Sequence, residues 1–268
     1  MKNKYRNAMA FSASVMLVLI LSILSVGCAK NNVYDTDSVG SVSYPFTFEP
    51  LLSDDITQSP DTAETTTEAI TTTETLPIET VYENAVKEYL TPLDSFSWER
   101  TYSPEIVMIH FTSAVVINKN DPYNIDLIRD IFIDSEVSIH YIIDRNGIIR
   151  CYIPEERVAW HAGKGEFLED PKYTNAMNHY SVGIELVGMG SREDMSGYIK
   201  GEVYDSLDDS LKCFTDAQYK SLKLLVEDIC ARYSIPLDRD HIIGHEEYSP
   251  KKKDPGDLFE WNRIVPEK

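Results

Sequence analysis

Ile-Val-Met-Ile-His-Phe at 106–111 is an unbroken apolar run with a histidine near its end. A run without polar alternation is the pattern of a strand covered on both faces, as in a parallel or mixed sheet with helices on either side. His110 interrupts the run and needs a polar partner there. Downstream, Ile125, Ile128 and Phe132 recur at helical spacing, which predicts a helix over residues 121–133. Residues 138–144 and 148–153 are separated by Arg145-Asn146-Gly147, and Asn-Gly is a strong hairpin signal, so an antiparallel pair is expected. Residues 181–187 read as another apolar strand with a single carboxylate, Glu185, inside it. Thr215-Asp216-Ala217-Gln218 fits a capping box, after which Leu222, Leu225, Val226, Ile229 and Tyr233 fall on one helical face. After Pro236, residues 240–244 read as a short strand or turn. The expected fold is α/β, a single domain with a mixed central β-sheet flanked by helices.

Two blocks carry the chemistry: Ile-His-Phe-Thr-Ser at 109–113 and Gly-His-Glu-Glu-Tyr-Ser-Pro-Lys-Lys-Lys-Asp-Pro-Gly at 244–256. A catalytic zinc usually takes three protein ligands and leaves one position open, and His110, His245 and Asp254 supply such a set in a surface cleft. Taken alone, His110 reads as a core histidine bonded to a carbonyl, and Asp254 as a turn residue, since Asp-Pro-Gly is good turn chemistry. The two readings of Asp254 are compatible, because the turn would hold the carboxylate. Glu185 has apolar neighbours on both sides, which favours a buried functional carboxylate over a surface one. His241 and His245 are four apart, but Ile242-Ile243-Gly244 reads as strand and turn rather than helix. The block is not a zincin motif either, since Ser249 stands where the second histidine would fall.

Outside these blocks the chain divides by composition. Lys2, Lys4 and Arg6 precede an uncharged run over residues 7–28, the order of an export signal. The run is long enough to span a membrane, which keeps an uncleaved anchor open, with plain secretion as the other alternative. Its ending, Ser25-Val26-Gly27-Cys28, resembles a bacterial lipoprotein signal in which Cys28 becomes the lipidated first residue. Ser, Thr, Asp, Glu and Pro then dominate, with Thr-Thr-Thr at 65–67 and 71–73. Such a segment cannot bury enough apolar surface to offset its ordering entropy. As a coil of roughly 50 residues it would span about 40 Å. The expected organisation is a signal over 1–28, an acidic tether over 29–95 with a short helix at its end, and a catalytic domain over 96–268. A formal net charge of −19 argues against nucleic acid as a partner, because phosphate binding needs clustered Lys and Arg. Cys151, Cys213 and Cys230 are odd in number and widely spaced, unlike a disulfide framework. They read as buried small apolar residues, with a Cys213–Cys230 bridge as the main exception.

Six segments together carry a family resemblance: Ile-His-Phe-Thr-Ser, Val-Ser-Ile-His-Tyr-Ile-Ile-Asp-Arg-Asn-Gly at 137–147, Ala-Trp-His-Ala-Gly at 159–163, Ser-Val-Gly-Ile-Glu-Leu-Val-Gly at 181–188, Phe-Thr-Asp-Ala-Gln-Tyr at 214–219, and the Gly-His…Asp-Pro-Gly block. In this order, over roughly residues 100–264, they resemble the type 2 N-acetylmuramoyl-L-alanine amidase family. The resemblance implies a mixed sheet flanked by helices, one Zn2+ per chain, and cleavage of the amide between the lactyl group of N-acetylmuramic acid and the first L-alanine of the stem peptide. By position it implies zinc on His110, His245 and Asp254. It likewise implies that Glu185 is the acid/base and that Lys252 is the cation of the anhydro-muropeptide branch. Lys252 would stand beside the oxygen that turns negative, while Glu185 would take and return a proton. His140, Trp160 and His161 are expected at the substrate, Trp160 as a flat apolar surface. The phage branch carries a tyrosine one residue before His140, where this chain has Ile139.

Residues 188–212 are longer than the family's usual connection and fit either a flap over the cleft or a surface loop. The expected partners are peptidoglycan or muropeptides, with membrane attachment through Cys28 and a monomeric chain. A peptidoglycan-binding protein without turnover is the alternative; relatives of that kind lose a zinc ligand, and all three are present here. A zinc amidase acting on a non-wall amide is also compatible with the chemistry.

Overall fold

The computed structural model describes residues 81–265. The expected export signal, Cys28 and most of the expected tether lie outside the described residues. In chain order the elements are α1 (Val81–Asn84), β1 (Val86–Lys87), β2 (Ser97–Glu99), β3 (Ile106–Thr112), α2 (Ile125–Asp134), β4 (Tyr141–Ile143), β5 (Ile149–Cys151) and β6 (Arg157–Ala159). They continue with β7 (Ser181–Val187), α3 (Gly201–Asp205), α4 (Asp216–Tyr233), β8 (Ile242–Gly244) and α5 (His245–Tyr248).

Six strands form one mixed sheet in the order β1-β5-β4-β7-β3-β8, and β2 pairs with β6 in a small antiparallel ribbon. Only the β4–β5 pairing of the large sheet is antiparallel, through the expected hairpin. In the turn of that hairpin, Asp144 Oδ1 accepts from the amides of Asn146 and Ile148, and Gly147 sits at φ +81°. A β-carbon at Gly147 would also lie 2.6 Å from Ala217 O, so only glycine fits.

The two longest apolar runs, β3 and β7, lie side by side and parallel at the centre. Their alternation splits the core. Val107, Ile109, Val182, Ile184 and Leu186 face α4, meeting Leu222, Leu225, Val226 and Ile229. Ile106 and Met108 face the other way, against Ala162, Phe167, Tyr173, Met177 and Tyr248. Each fully buried aliphatic chain of this kind contributes about 1.5–3 kcal/mol. Helix α4 starts at the expected capping box, with Thr215 Oγ1 accepting from Gln218 N and Gln218 Oε1 accepting from Thr215 N. The Gln218 amide also donates to Ile143 O and Val187 O, which ties the helix to the ends of β4 and β7. At its other end Arg232 meets the buried Glu155, which also accepts from the Tyr141 hydroxyl at 2.5 Å.

The structure departs from expectation in four places. Residues 81–95 are packed on the domain rather than belonging to a tether: β1 pairs with β5 and Leu90 is fully buried, because this stretch carries its own apolar residues. Helix α2 begins at Ile125, since Asn124 caps it by accepting from Leu127 N. Strand β4 starts at Tyr141 rather than 138, because Ser138 turns aside to bond Phe96 O and Trp160. Cys151 and Cys230 are buried and Cys213 exposed, and all three are free, so the Cys213–Cys230 bridge is absent. No described helix is long and apolar enough to cross a membrane.

Candidate metal and catalytic site

His110 belongs to the face of β3 turned away from α4, the face of Ile106 and Met108. Parallel pairing sets Glu185 of β7 directly beside it. Strand β8 pairs with β3 on the other side, so His245, opening α5 immediately after β8, arrives next to His110. The turn that follows α5 carries Asp254 back: Glu246 N donates to Asp254 O, and the carboxylate is nearly buried. Asp254 Oδ2 lies 2.7 Å from His110 Nδ1 and 2.9 Å from His245 Nδ1. One ligand atom from each of the three lies within 4.8 Å of the others. This places together the three residues expected to hold zinc.

The surrounding hydrogen bonds assign the tautomers. His245 Nε2 faces Ala162 O at 2.9 Å and must donate there, leaving a lone pair on Nδ1. Ser181 Oγ donates to Met177 O at 2.8 Å, so at 3.2 Å it accepts from His161 Nε2. His161 Nδ1 is then an acceptor, and at 3.0 Å it takes the proton of His110 Nε2. Both His110 and His245 therefore turn Nδ1 lone pairs toward a carboxylate oxygen, three acceptors facing one another. Such an arrangement is balanced by a cation, and the second bond on each imidazole is the one that metal-binding histidines usually make. Protonation states agree. Burial, and then His245, push His110 down to about 4, so its ring is neutral at pH 7. Burial alone would raise Asp254, but His245 and His110 override it and hold the carboxyl well below the usual range. The residues fit a zinc ion, whose ligands must be deprotonated.

Glu185 is half-buried beside this set, and its Oε2 has no hydrogen-bond partner among the described residues. Burial, reinforced by Asp254 and opposed by Lys252, pushes its pKa well above the ordinary value. Lys252, two residues before Asp254, is half-buried and close enough for its charge to act on both Glu185 and His110.

Of the three residues expected at the substrate, His140 and His161 are placed differently. His140 is fully buried, with Nδ1 accepting from Gly183 N at 3.0 Å and Nε2 donating to Arg157 O at 3.1 Å. It has no surface to offer a ligand and fixes β4 against β7 instead. His161 is half-buried with both ring nitrogens engaged, so it orients His110 rather than reaching outward. Trp160 is half-buried and packs on Trp98, 5.2 Å between ring centroids. His241 bonds Asp238 at 2.7 Å, outside the metal set.

Sequence reading missed Ser181, the end of the His161 relay, and Gly183, which makes room for it. A β-carbon on Gly183 would lie 2.6 Å from His161 Nδ1 and 2.6 Å from Ile139 Cδ1. Gly183→Ala is therefore expected to displace His161 and lower zinc affinity and kcat/KM by about 10-fold or more. Chelator competition and kinetics on the purified variant check this; wild-type values in both would remove His161 from the site.

Residues 188–212 are folded. Met189, Met195, Tyr204 and Leu207 form a small core with Val115. Asp194 Oδ2 accepts from Ser191 N at 2.8 Å and from Asp257 N at 3.1 Å, which fastens this segment to the turn bearing Asp254. Tyr198, half exposed on the same segment, stands near the site: partial burial, Asp254 and Glu185 together raise its phenol.

The 1,6-anhydro-N-acetylmuramyl-L-alanine amidase AmpD of Haemophilus influenzae is 37% identical over 130 residues, covering 48% of this chain and 57% of that protein. The AmpD of Escherichia coli K12 is 32% identical over 129 residues, covering 48% of this chain and 56% of that one. The chain thus spans little more than half the length of the curated relatives it matches. A solved structure of a selenomethionyl AmpD derivative aligns with a TM-score of 0.46 at 25% identity, over 67% of this chain and 92% of that one. The family model described as N-acetylmuramoyl-L-alanine amidase matches residues 100–257, more than half of the 268 residues and inclusive of His110, Glu185, His245, Lys252 and Asp254. The chain belongs to the N-acetylmuramoyl-L-alanine amidase family.

Proposed function

We propose that this protein is a zinc-dependent amidase that hydrolyses the bond between the lactyl group of N-acetylmuramic acid and the L-alanine of a peptidoglycan stem peptide. The observation that carries the reading is the placement of an unpaired carboxylate, Glu185, in register beside a His110–His245–Asp254 donor set. His110, His245 and Asp254 would hold the zinc, which when bound supplies a Lewis acid for the amide carbonyl and makes hydroxide available near neutral pH. Glu185 accepts the proton of the attacking water and passes it to the amide nitrogen as the carbon–nitrogen bond breaks. Its raised pKa suits a group that must both take and give a proton. Lys252 sets its ammonium beside the carbonyl oxygen as that oxygen becomes negative. Asp254, held well below the usual carboxylate range, and His110, pushed down by burial, each stay in one protonation state throughout.

Family membership and similarity to anhydro-muramyl amidases support the muramyl amide as the bond cut. Mass spectrometry of purified peptidoglycan after digestion tests it. Stem peptides with a new L-alanine amino terminus are expected, and fragments released only by glycosidic or peptide-bond cleavage would overturn the assignment.

For location, the lipoprotein-type ending at Cys28 supports attachment to the outer face of a bacterial cytoplasmic membrane, with the Ser/Thr-rich stretch as spacer. Cys28→Ser is then expected to release the protein into the medium or leave an unprocessed precursor. A Cys28→Ser protein that stays in the membrane at wild-type gel mobility would point to an uncleaved helix instead.

A further inference from the structure

A strip of rings lies on the surface formed by β2 and the start of β7. Trp98 stacks on His179 with 5.5 Å between centroids and 18° between planes, and lies 5.2 Å from Trp160. Tyr102 meets the edge of His179 at 6.5 Å and lies 5.1 Å from Tyr180. Trp98 is 49% exposed and Tyr102 54%. Large rings left open side by side mark binding surfaces more often than scattered single residues do. Two polar atoms within the strip are also unpaired: Trp160 Nε1 and His179 Nδ1 are buried without a hydrogen-bond partner among the described residues. Each carries a desolvation cost that a ligand hydroxyl or carbonyl would relieve.

The strip borders the residues that back the metal set. Trp160 immediately precedes His161, whose Nδ1 is 3.0 Å from His110 Nε2, and Tyr180 immediately precedes the strand that carries Glu185. Trp98 lies before residues 100–257, so this part of the surface is not accounted for by the family match.

We propose that Trp98, Tyr102, Trp160, His179 and Tyr180 form a glycan subsite that stacks on the sugar rings of the peptidoglycan backbone next to the muramyl residue being cut; the proposal rests on the amidase reading. The chemistry favours sugar over stem peptide as the occupant. A pyranose is rigid and uncharged and presents a C–H face to a flat ring, while its hydroxyl and acetamido groups suit two neutral unpaired atoms. A stem peptide brings carboxylates and amines, whereas Lys172 and Glu105 beside Tyr180 are paired with each other at 2.7 Å, and Arg100 behind His179 spends its guanidinium on the carbonyls of Glu155, His179 and Ser181. A polymeric substrate would thus be held by its backbone while one of its amides reaches the metal.

The test is a fluorescence titration of the purified protein with peptide-free glycan strands of alternating N-acetylglucosamine and N-acetylmuramic acid, alongside digestion of insoluble peptidoglycan and of a short soluble muropeptide. Saturable binding is expected. Trp98→Ala and Tyr102→Ala should each weaken it about fivefold, Trp98→Phe should hold within about twofold because it keeps a ring, and Trp98→Ala should lower the insoluble-to-soluble activity ratio about fivefold. The proposal is overturned if the wild-type protein does not bind the strands, if Trp98→Ala binds as wild type, if Trp98→Phe loses as much as Trp98→Ala, or if free stem peptide displaces the strands. Failure of the amidase reading is distinguishable: glycan binding without new L-alanine termini would retire the bond assignment and keep the strip.

Discussion

Glu185→Gln is expected to lower kcat by about 100-fold or more while zinc content stays at the wild-type level. The substitution preserves shape and hydrogen-bonding reach, but an amide cannot take a proton from water or return one to a leaving amine. Among the described residues, Glu185 Oε2 has no partner to lose, so the fold should tolerate the change. Removing a carboxylate whose pKa is already pushed up by desolvation should cost no stability at neutral pH. KM should change little, because the lost interaction belongs to the transition state rather than to ground-state binding. Steady-state kinetics with metal analysis on the same preparation makes the check; a Glu185→Gln protein that turns over like wild type would leave Glu185 with a structural role only.

The second large effect is on the metal itself. The purified protein should carry about one zinc per chain, and Asp254→Ala should reduce occupancy to a small fraction and kcat/KM by about 1,000-fold or more, since a Lewis acid supplies several kcal/mol of transition-state stabilisation. Asp254 is the decisive ligand because its Oδ2 is the atom that both imidazoles face. It is also the only negative charge of the set, so its loss leaves two neutral nitrogens with little hold on a divalent cation. His110→Ala should act in the same direction and also release His161 from its hydrogen bond. Wild-type zinc stoichiometry by elemental analysis in Asp254→Ala would overturn the assignment whatever its activity. Added zinc should raise the melting temperature of wild type and leave that of Asp254→Ala unmoved, because a ligand stabilises only the state that binds it.

What could be read from the sequence was whatever has a local cause. The apolar runs of β3 and β7, the Asn-Gly turn, the Thr215–Gln218 capping box and the apolar stripe of α4 follow from backbone periodicity and short-range hydrogen bonds. The candidate metal donors were legible only as a set, because His110 alone reads as a core histidine and Asp254 alone as a turn residue, and joined with His245 they make up three ligands. Tertiary structure alone decided the rest, since strand register and the packing of distant loops depend on contacts with no trace in local spacing. It put Glu185 opposite His110 across a parallel pairing, and made His161 and Ser181 a relay that turns His110 toward the metal side. It buried His140, which was expected at the substrate, because the segment running through β6 covers that part of the sheet. It also drew residues 81–95 into the domain: a two-residue strand and a single buried leucine are too short to register as a pattern, and they count only once β5 offers an edge to pair with.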